Sequence, residues 1–71
     1  MAGDIQIHVN GESRGFRSEG TVADLLGDLS LKSERVAVEV NLEILDRKDF
    51  GARRLKAGDR VEILSFIGGG C

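Results

Sequence analysis

The sequence predicts an α+β domain in which one short helix lies across one face of a mixed sheet of about four to five strands. Three observations predict it. Apolar and polar residues alternate at 5–9 and valines recur at every second position over 36–40, an apolar stripe at helical spacing falls between those runs, and an apolar strand leads into a glycine-rich end.

The chain has 71 residues, of which 41% are apolar and 31% charged. That composition supplies one core and a charged surface, and it argues against disorder of the whole chain. At this size only about 60% of the unfolded surface can be buried. A deep, water-excluding active site would compete with the core for the same few side chains. One Cys permits neither an internal disulfide nor a cysteine-based metal cluster. The core is therefore expected to be aliphatic, built from Ile, Leu and Val with three Phe.

Ile5, Ile7 and Val9 alternate with Gln6, His8 and Asn10, the period of a half-buried strand. Asn10-Gly11 is the dipeptide of a two-residue hairpin, and Glu12 to Phe16 is the returning strand, weakened by Gly15. Thr21 then opens a helix: its hydroxyl can accept from a free backbone N–H, and Asp24 complements the positive end of the helix. Val22, Leu25, Leu26 and Leu29 follow at i, i+3, i+4 and i+7. The helix is two to three turns long and contains Gly27, so it holds only by docking its stripe on a sheet.

Val36, Val38 and Val40 form the next strand, and Ile44-Leu45 a short one. Asp46 to Gly51 is a loop or helical turn anchored by Phe50, and Lys56 to Asp59 is a turn. In the last strand, Arg60 to Phe66, Val61 and Ile63 share one phase while Glu62, Leu64 and Phe66 share the other. If Val61 and Ile63 face the helix, Leu64 and Phe66 point to a face that nothing in so small a domain covers, and they are candidates for partner docking. The alternative is a twist or bulge that returns Phe66 to the core. Strand, strand, helix, strand, short strand, strand is the order of a β-grasp. Residues 1–66 form the domain, and 67–71 form a flexible arm.

Several function classes are disfavoured. A net charge of −2 argues against nucleic acid as a partner, and Arg53-Arg54, like Arg47-Lys48, is no more than an isolated basic pair. No apolar run approaches the roughly 20 residues that span a membrane, and residues 1–4 lack the features of a secretory signal, so a cytoplasmic location is expected. An enzyme is the least favoured class. The sole His, His8, lies on the polar phase of its strand with no triad companion, and the sole Cys has no partner base. Asp46, Asp49 and Asp59 sit where aspartate serves turns and caps. No catalytic residue and no metal-ligand spacing is assigned.

Gly68, Gly69 and Gly70 cannot stabilise a regular element after a strand, because each loses much backbone entropy and packs no side chain. Such an arm can enter a channel that any Cβ would block. It is also the composition of an ordinary frayed terminus.

The residues upstream separate those readings. T-V-A-D-L-L at 21–26, V-A-V-E-V-N at 36–41, Ile44 and Arg47 before Phe50, and L-K-A-G-D-R-V-E-I at 55–63 stand in the order and spacing of the ThiS family, which the chain resembles from Ile5 to Gly70. The relatives of that family are the small subunit of molybdopterin synthase and the ubiquitin-like modifiers, which share the fold and the diglycine. The resemblance implies a sulfur carrier in thiamine thiazole biosynthesis, with Gly69-Gly70 as the diglycine.

It further implies that a ThiF-like adenylating enzyme uses ATP and magnesium to convert the Gly70 carboxylate to an acyl-adenylate. A cysteine desulfurase or other persulfide donor displaces AMP, and the thiocarboxylate on Gly70 passes its sulfur to thiazole synthase. No cofactor is bound by the carrier itself. Gly68 and Gly69 give access, and Leu64 and Phe66 help dock the partner. Cys71 departs from the pattern, since it follows the diglycine and occupies the carboxyl that must react. The expectation is that a peptidase removes it and that the chain ending in Cys71 is a precursor; charging in some other way is the alternative. Two other functions stay open at this point. One is sulfur donation for molybdopterin, cysteine or another thio-metabolite, and the other is a β-grasp interaction module that makes no use of its tail.

Overall fold

The structure, a computed structural model, describes residues 4–66. Strands β1 (Asp4–Val9) and β2 (Glu12–Arg17) are followed by helix α1 (Val22–Asp28), a 3-10 turn at Ser33–Arg35, and strands β3 (Val36–Val40) and β4 (Glu43–Leu45). A second 3-10 turn spans Arg47–Asp49, and β5 (Arg60–Ser65) ends the described elements. The five strands form one sheet in the order β2-β1-β5-β3-β4. β5 lies at its centre, parallel to β1 and antiparallel to β3. This is the expected α+β β-grasp, a mixed sheet with one helix on one face.

The alternation of each strand decides which side chains meet the helix. Ile7, Val38, Val40 and Val61 are buried without measurable exposure, and the helix contributes Val22, Leu25 and Leu26 to the same cluster. Phe16, Phe50 and Leu55 close its rim. Leu55 reads in the sequence only as part of a turn. It is placed in the core because its N–H donates to Gly20 O (2.9 Å) beside the Thr21–Arg54 bridge, which draws the whole 50–55 segment beneath the start of the helix.

The helix is held at both ends by local chemistry. Thr21 Oγ1 accepts from the Asp24 N–H (3.2 Å), and Asp24 Oδ2 accepts in return from the Thr21 N–H (3.0 Å), a reciprocal capping box. Those bonds, the backbone one first, hold the Asp24 carboxyl below the ordinary aspartate value. At the other end Ser30 takes a left-handed φ of 59°, its N–H donating to Gly27 O and that of Leu31 to Leu26 O, which stops the helix after seven residues. Gly20 is required by space: a Cβ there would stand 2.5 Å from the Phe16 ring.

Both hairpins turn in two residues with positive φ at each, the type I′ geometry that matches strand twist. Asn10-Gly11 joins β1 to β2 with φ of 50° and 85°, as its sequence predicts. Asn41-Leu42 joins β3 to β4 with φ of 53° and 72°, and no glycine announces it.

Candidate functional site

The last strand, β5, leads to the predicted reactive end, so the groups that fix its position bear on function. Asn10 and Asn41, the first residue of each I′ turn, both turn their side chains onto it. Asn10 Oδ1 accepts from the Ile63 N–H (2.7 Å) and its amide donates to Ile63 O (3.3 Å), so one side chain continues the β1–β5 pairing after β1 has ended. Asn41 Oδ1 accepts from the Arg60 N–H (3.0 Å), while its amide donates to Asp59 Oδ1 (3.0 Å). Asp59 is the one buried charged residue among the described residues, and its other oxygen accepts from the Lys56 N–H (2.9 Å). These three side chains set where β5 starts and how it is aligned. The sequence marks Asn10 and Asp59 as turn residues, whereas Asn41 reads there only as the last residue of the strand motif V-A-V-E-V-N at 36–41.

At the far end, the Phe66 N–H donates to Arg35 O (2.7 Å). That carbonyl belongs to the Ser33–Arg35 turn, which Arg47 braces from outside. Its Nε donates to Ser33 O (2.8 Å) and its Nη2 to Glu34 O (3.4 Å). Arg47 therefore helps fix the position of the last described residue before the glycines.

The phase prediction for β5 holds. Val61 and Ile63 are buried, and Leu64 is 65% exposed on the opposite face. Phe66, past the end of the strand, is 57% exposed and does not return to the core. The two line different depressions. Leu64 lines a groove of about 430 Å³ with Ala37, Glu39, Leu42, Ile44 and Glu62. Phe66 lines a separate depression of about 510 Å³ with Leu31, Val36, Lys32 and Arg35. The first groove has carboxylates on its rim and the second has cations. Leu42 and Ile44, 86% and 78% exposed, extend the apolar surface well beyond the pair seen in the sequence. Leu42 was not singled out there because only its backbone angle, and not its type, marks it as a turn residue.

Gly68, Gly69, Gly70 and Cys71, the predicted sulfur-carrying, access and processed positions, lie outside the described residues. His8 is half-buried on β1 opposite Arg60 of β5. Among the described residues no three His, Cys, Asp or Glu side chains come together as metal ligands, and no helix is long and apolar enough to cross a membrane.

Comparison with known proteins gives a consistent result. The model of the ThiS family matches residues 7–70. A thiazole synthase of Paramagnetospirillum magneticum is 44% identical over 93% of this chain, and one of Magnetococcus marinus is 39% identical over a similar span. The chain spans only a fifth of the length of each of these two relatives. The sulfur carrier protein ThiS of Bacillus subtilis is 34% identical over 90% of this chain and 98% of its own length. The crystal structure of the thiamine biosynthesis protein ThiS from Geobacter metallireducens superposes with a TM-score of 0.77 at 40% identity, covering 93% of this chain and all of that one.

Proposed function

This chain belongs to the ThiS family, and from that membership we propose that it is a sulfur carrier of thiamine biosynthesis whose reactive group is the Gly70 carboxylate. It acts as a carrier and not as a catalyst. The observation that carries the reading is the extent of the family match, which runs through the domain and the glycines and stops at Gly70, one residue short of Cys71.

The chemistry follows from the weakness of a carboxylate as an acyl donor. A Gly70 oxygen attacks the α-phosphorus of magnesium-bound ATP on a ThiF-like adenylating enzyme, and pyrophosphate leaves. The terminal sulfur of a cysteine persulfide, supplied by a desulfurase or similar donor, attacks the acyl-adenylate carbonyl and AMP leaves. The acyl disulfide so formed releases a thiocarboxylate when a thiol attacks the donor sulfur. The carrier then hands that sulfur to thiazole synthase. Gly68 and Gly69 give the carbonyl a thin approach, since neither carries a Cβ. Leu64 and Phe66 contribute to docking. Cys71 is removed by a peptidase before activation.

Thiazole synthase is favoured over molybdopterin or cysteine pathways as the acceptor, because two proteins of that name include a segment 44% and 39% identical to this chain. The interaction-module reading makes no use of the glycines and leaves the match through Gly70 without a role. Deleting 69–71 separates the two. The carrier reading expects the deletion to keep the fold, by circular dichroism and Tm, and to abolish ATP–pyrophosphate exchange with the adenylating enzyme of the same host. Exchange that survives the deletion would sink it.

A further inference from the structure

Among the described residues, the end of β5 is held from one side only. Its parallel partner β1 pairs as far as Val9 with Val61, and the Asn10 side chain extends that edge no further than Ile63. From Leu64 onward the neighbour is β3, which pairs Ala37 with Leu64 and Val36 with Ser65, and Val36 is the first residue of that strand. The next bond of the ladder runs from the Phe66 N–H to Arg35 O (2.7 Å). It is the last described bond before the glycines, and its acceptor stands in the Ser33–Arg35 turn, not in a strand.

That turn has little of its own to hold it. None of its three residues is buried, Lys32 before it makes no side-chain cap, and its backbone closes through one bond, from the Arg35 N–H to Lys32 O (2.9 Å). The Ser33 and Glu34 carbonyls are held by Arg47, through Nε at 2.8 Å and Nη2 at 3.4 Å. A guanidinium is a rigid fork of donors, so one side chain fixes two successive carbonyls. Arg47 is in neither ion pair of the described residues, Arg17–Asp28 and Arg54–Glu19, and its charge is directed at backbone. Its own backbone is tied to the core. The Phe50 N–H donates to Arg47 O (3.1 Å), the Phe50 ring is buried, and Phe50 O accepts from the Ala23 N–H (2.9 Å) in the first turn of α1.

We propose that Arg47 is a positioning residue for the activation of Gly70. It carries the rigidity of the core through the Ser33–Arg35 turn to the Phe66 N–H, and so fixes the point from which the arm leaves the domain. The inference rests on the carrier reading and adds a residue that acts on the reaction without touching the reacting atoms. Its physical basis is entropic. A carboxylate at the end of an arm reacts only while it holds the geometry of attack. Each residue that must be ordered as the arm enters the adenylating enzyme subtracts from that. With its bond to Arg35 O made, Phe66 is ordered before the encounter. With the turn unclamped, Phe66 frays from β3 and has to be ordered anew each time. The expected loss is about five- to tenfold in rate. At tenfold per 1.4 kcal/mol this corresponds to about 1–1.4 kcal/mol, the backbone entropy of one residue.

The test applies two readouts to Arg47→Ala and Arg47→Lys. Amide hydrogen exchange on the full chain, kept reduced, should accelerate at Phe66 in Arg47→Ala while Val38 and Ile63 stay protected. ATP–pyrophosphate exchange uses the chain ending at Gly70 with the adenylating enzyme of the same host, well below Tm. Arg47→Ala should lower kcat about five- to tenfold and leave the KM for the carrier within twofold. Arg47→Lys keeps the charge but is a point donor that cannot hold both carbonyls, and its kcat should fall between the two. A merely structural role predicts a lower Tm with kcat and KM unchanged, because both chains are folded at the assay temperature; that result overturns the inference. Unchanged exchange at the Phe66 amide overturns it as well. So does a raised KM at constant kcat, which would make Arg47 a contact for the enzyme. Wild-type kcat in Arg47→Lys beside a depressed one in Arg47→Ala would make the charge, and not the fork, the operative group, and also overturns it. If the wild-type chain ending at Gly70 supports no pyrophosphate exchange at all, the carrier reading itself fails and takes the inference with it.

Discussion

Asn10 offers the sharpest test of how the fold aims its last strand. Its side chain is the only group that pairs with both the N–H and the C=O of Ile63 among the described hydrogen bonds, at 2.7 Å and 3.3 Å. Asn10→Gly keeps the positive φ without strain and removes both bonds. Leaving the part-buried Ile63 N–H without its partner costs about 1–2 kcal/mol. The freer unfolded backbone of glycine adds roughly 0.4–1 kcal/mol. A total near 2 kcal/mol lowers Tm by about 8–16 °C in a domain of this size. Asn10→Ala loses the same bonds and also places a Cβ at a φ of 50°, so it should be worse by about 1 kcal/mol. Asn10→Asp keeps the short acceptor bond to Ile63 and should sit closest to wild type. Thermal unfolding ranks the three, and hydrogen exchange at the Ile63 amide reports the bond itself. If Asn10→Gly unfolds within 2 °C of wild type with the Ile63 amide still protected, the side chain does not hold β5, and the turn conformation alone explains the residue.

Other predictions concern the helix and the core. Leu25→Ala opens a cavity at a site with no exposure and should cost about 2–5 kcal/mol, most of what so small a domain has, read as a large loss of Tm. Gly20→Ala drives a Cβ into the Phe16 ring and should cost about 1–3 kcal/mol, whereas Gly15→Ala, with open space around it, should be neutral or stabilising in the same assay. Asp24 has a depressed folded pKa, so its contribution to stability is present above the ordinary aspartate value and is lost as pH falls through the folded value. Wild type and Asp24→Asn should therefore differ in denaturant midpoint at neutral pH and converge in acid. A gap that persists at low pH would refute the capping assignment.

The elements that the sequence states plainly are those whose signal is local. Alternation announces β1 and β3, Asn10-Gly11 the first hairpin, and Thr21 with Asp24 the helix start, because each depends on residues within one turn of each other. What stayed hidden depends on distance. Leu55 joins the core through a backbone bond to Gly20 O, thirty-five residues earlier in the chain. Asn41 reads as the end of a strand motif and Asp59 as a turn residue, and the two become one network only when β3 and β5 pair. The outer face was half legible. The phase of β5 exposed Leu64, but Leu42 and the pairing of Glu39 with Glu62 require the β3–β4 turn and the β3–β5 register, which no single segment encodes.

Cys71 poses the last chemical question. Adenylation consumes an α-carboxylate at the end of a chain, and in a chain that continues to Cys71 the carboxyl of Gly70 is an amide carbonyl. An amide oxygen is a far weaker nucleophile toward phosphorus, and in a chain ending at Cys71 the available carboxylate would belong to a residue with a Cβ and a thiol. A channel narrow enough to select glycine excludes both groups. Two chains, one ending at Gly70 and one at Cys71, should then share the same Tm and the same affinity for thiazole synthase, since the domain is unchanged. Their ATP–pyrophosphate exchange with the adenylating enzyme should differ by at least a hundredfold in favour of the shorter chain. Equal exchange would show that the enzyme accepts a cysteine carboxylate and that no peptidase is needed. Protein taken from its own host gives the independent check. Intact mass should show a species without Cys71, and a fraction of it heavier by the replacement of one oxygen with sulfur.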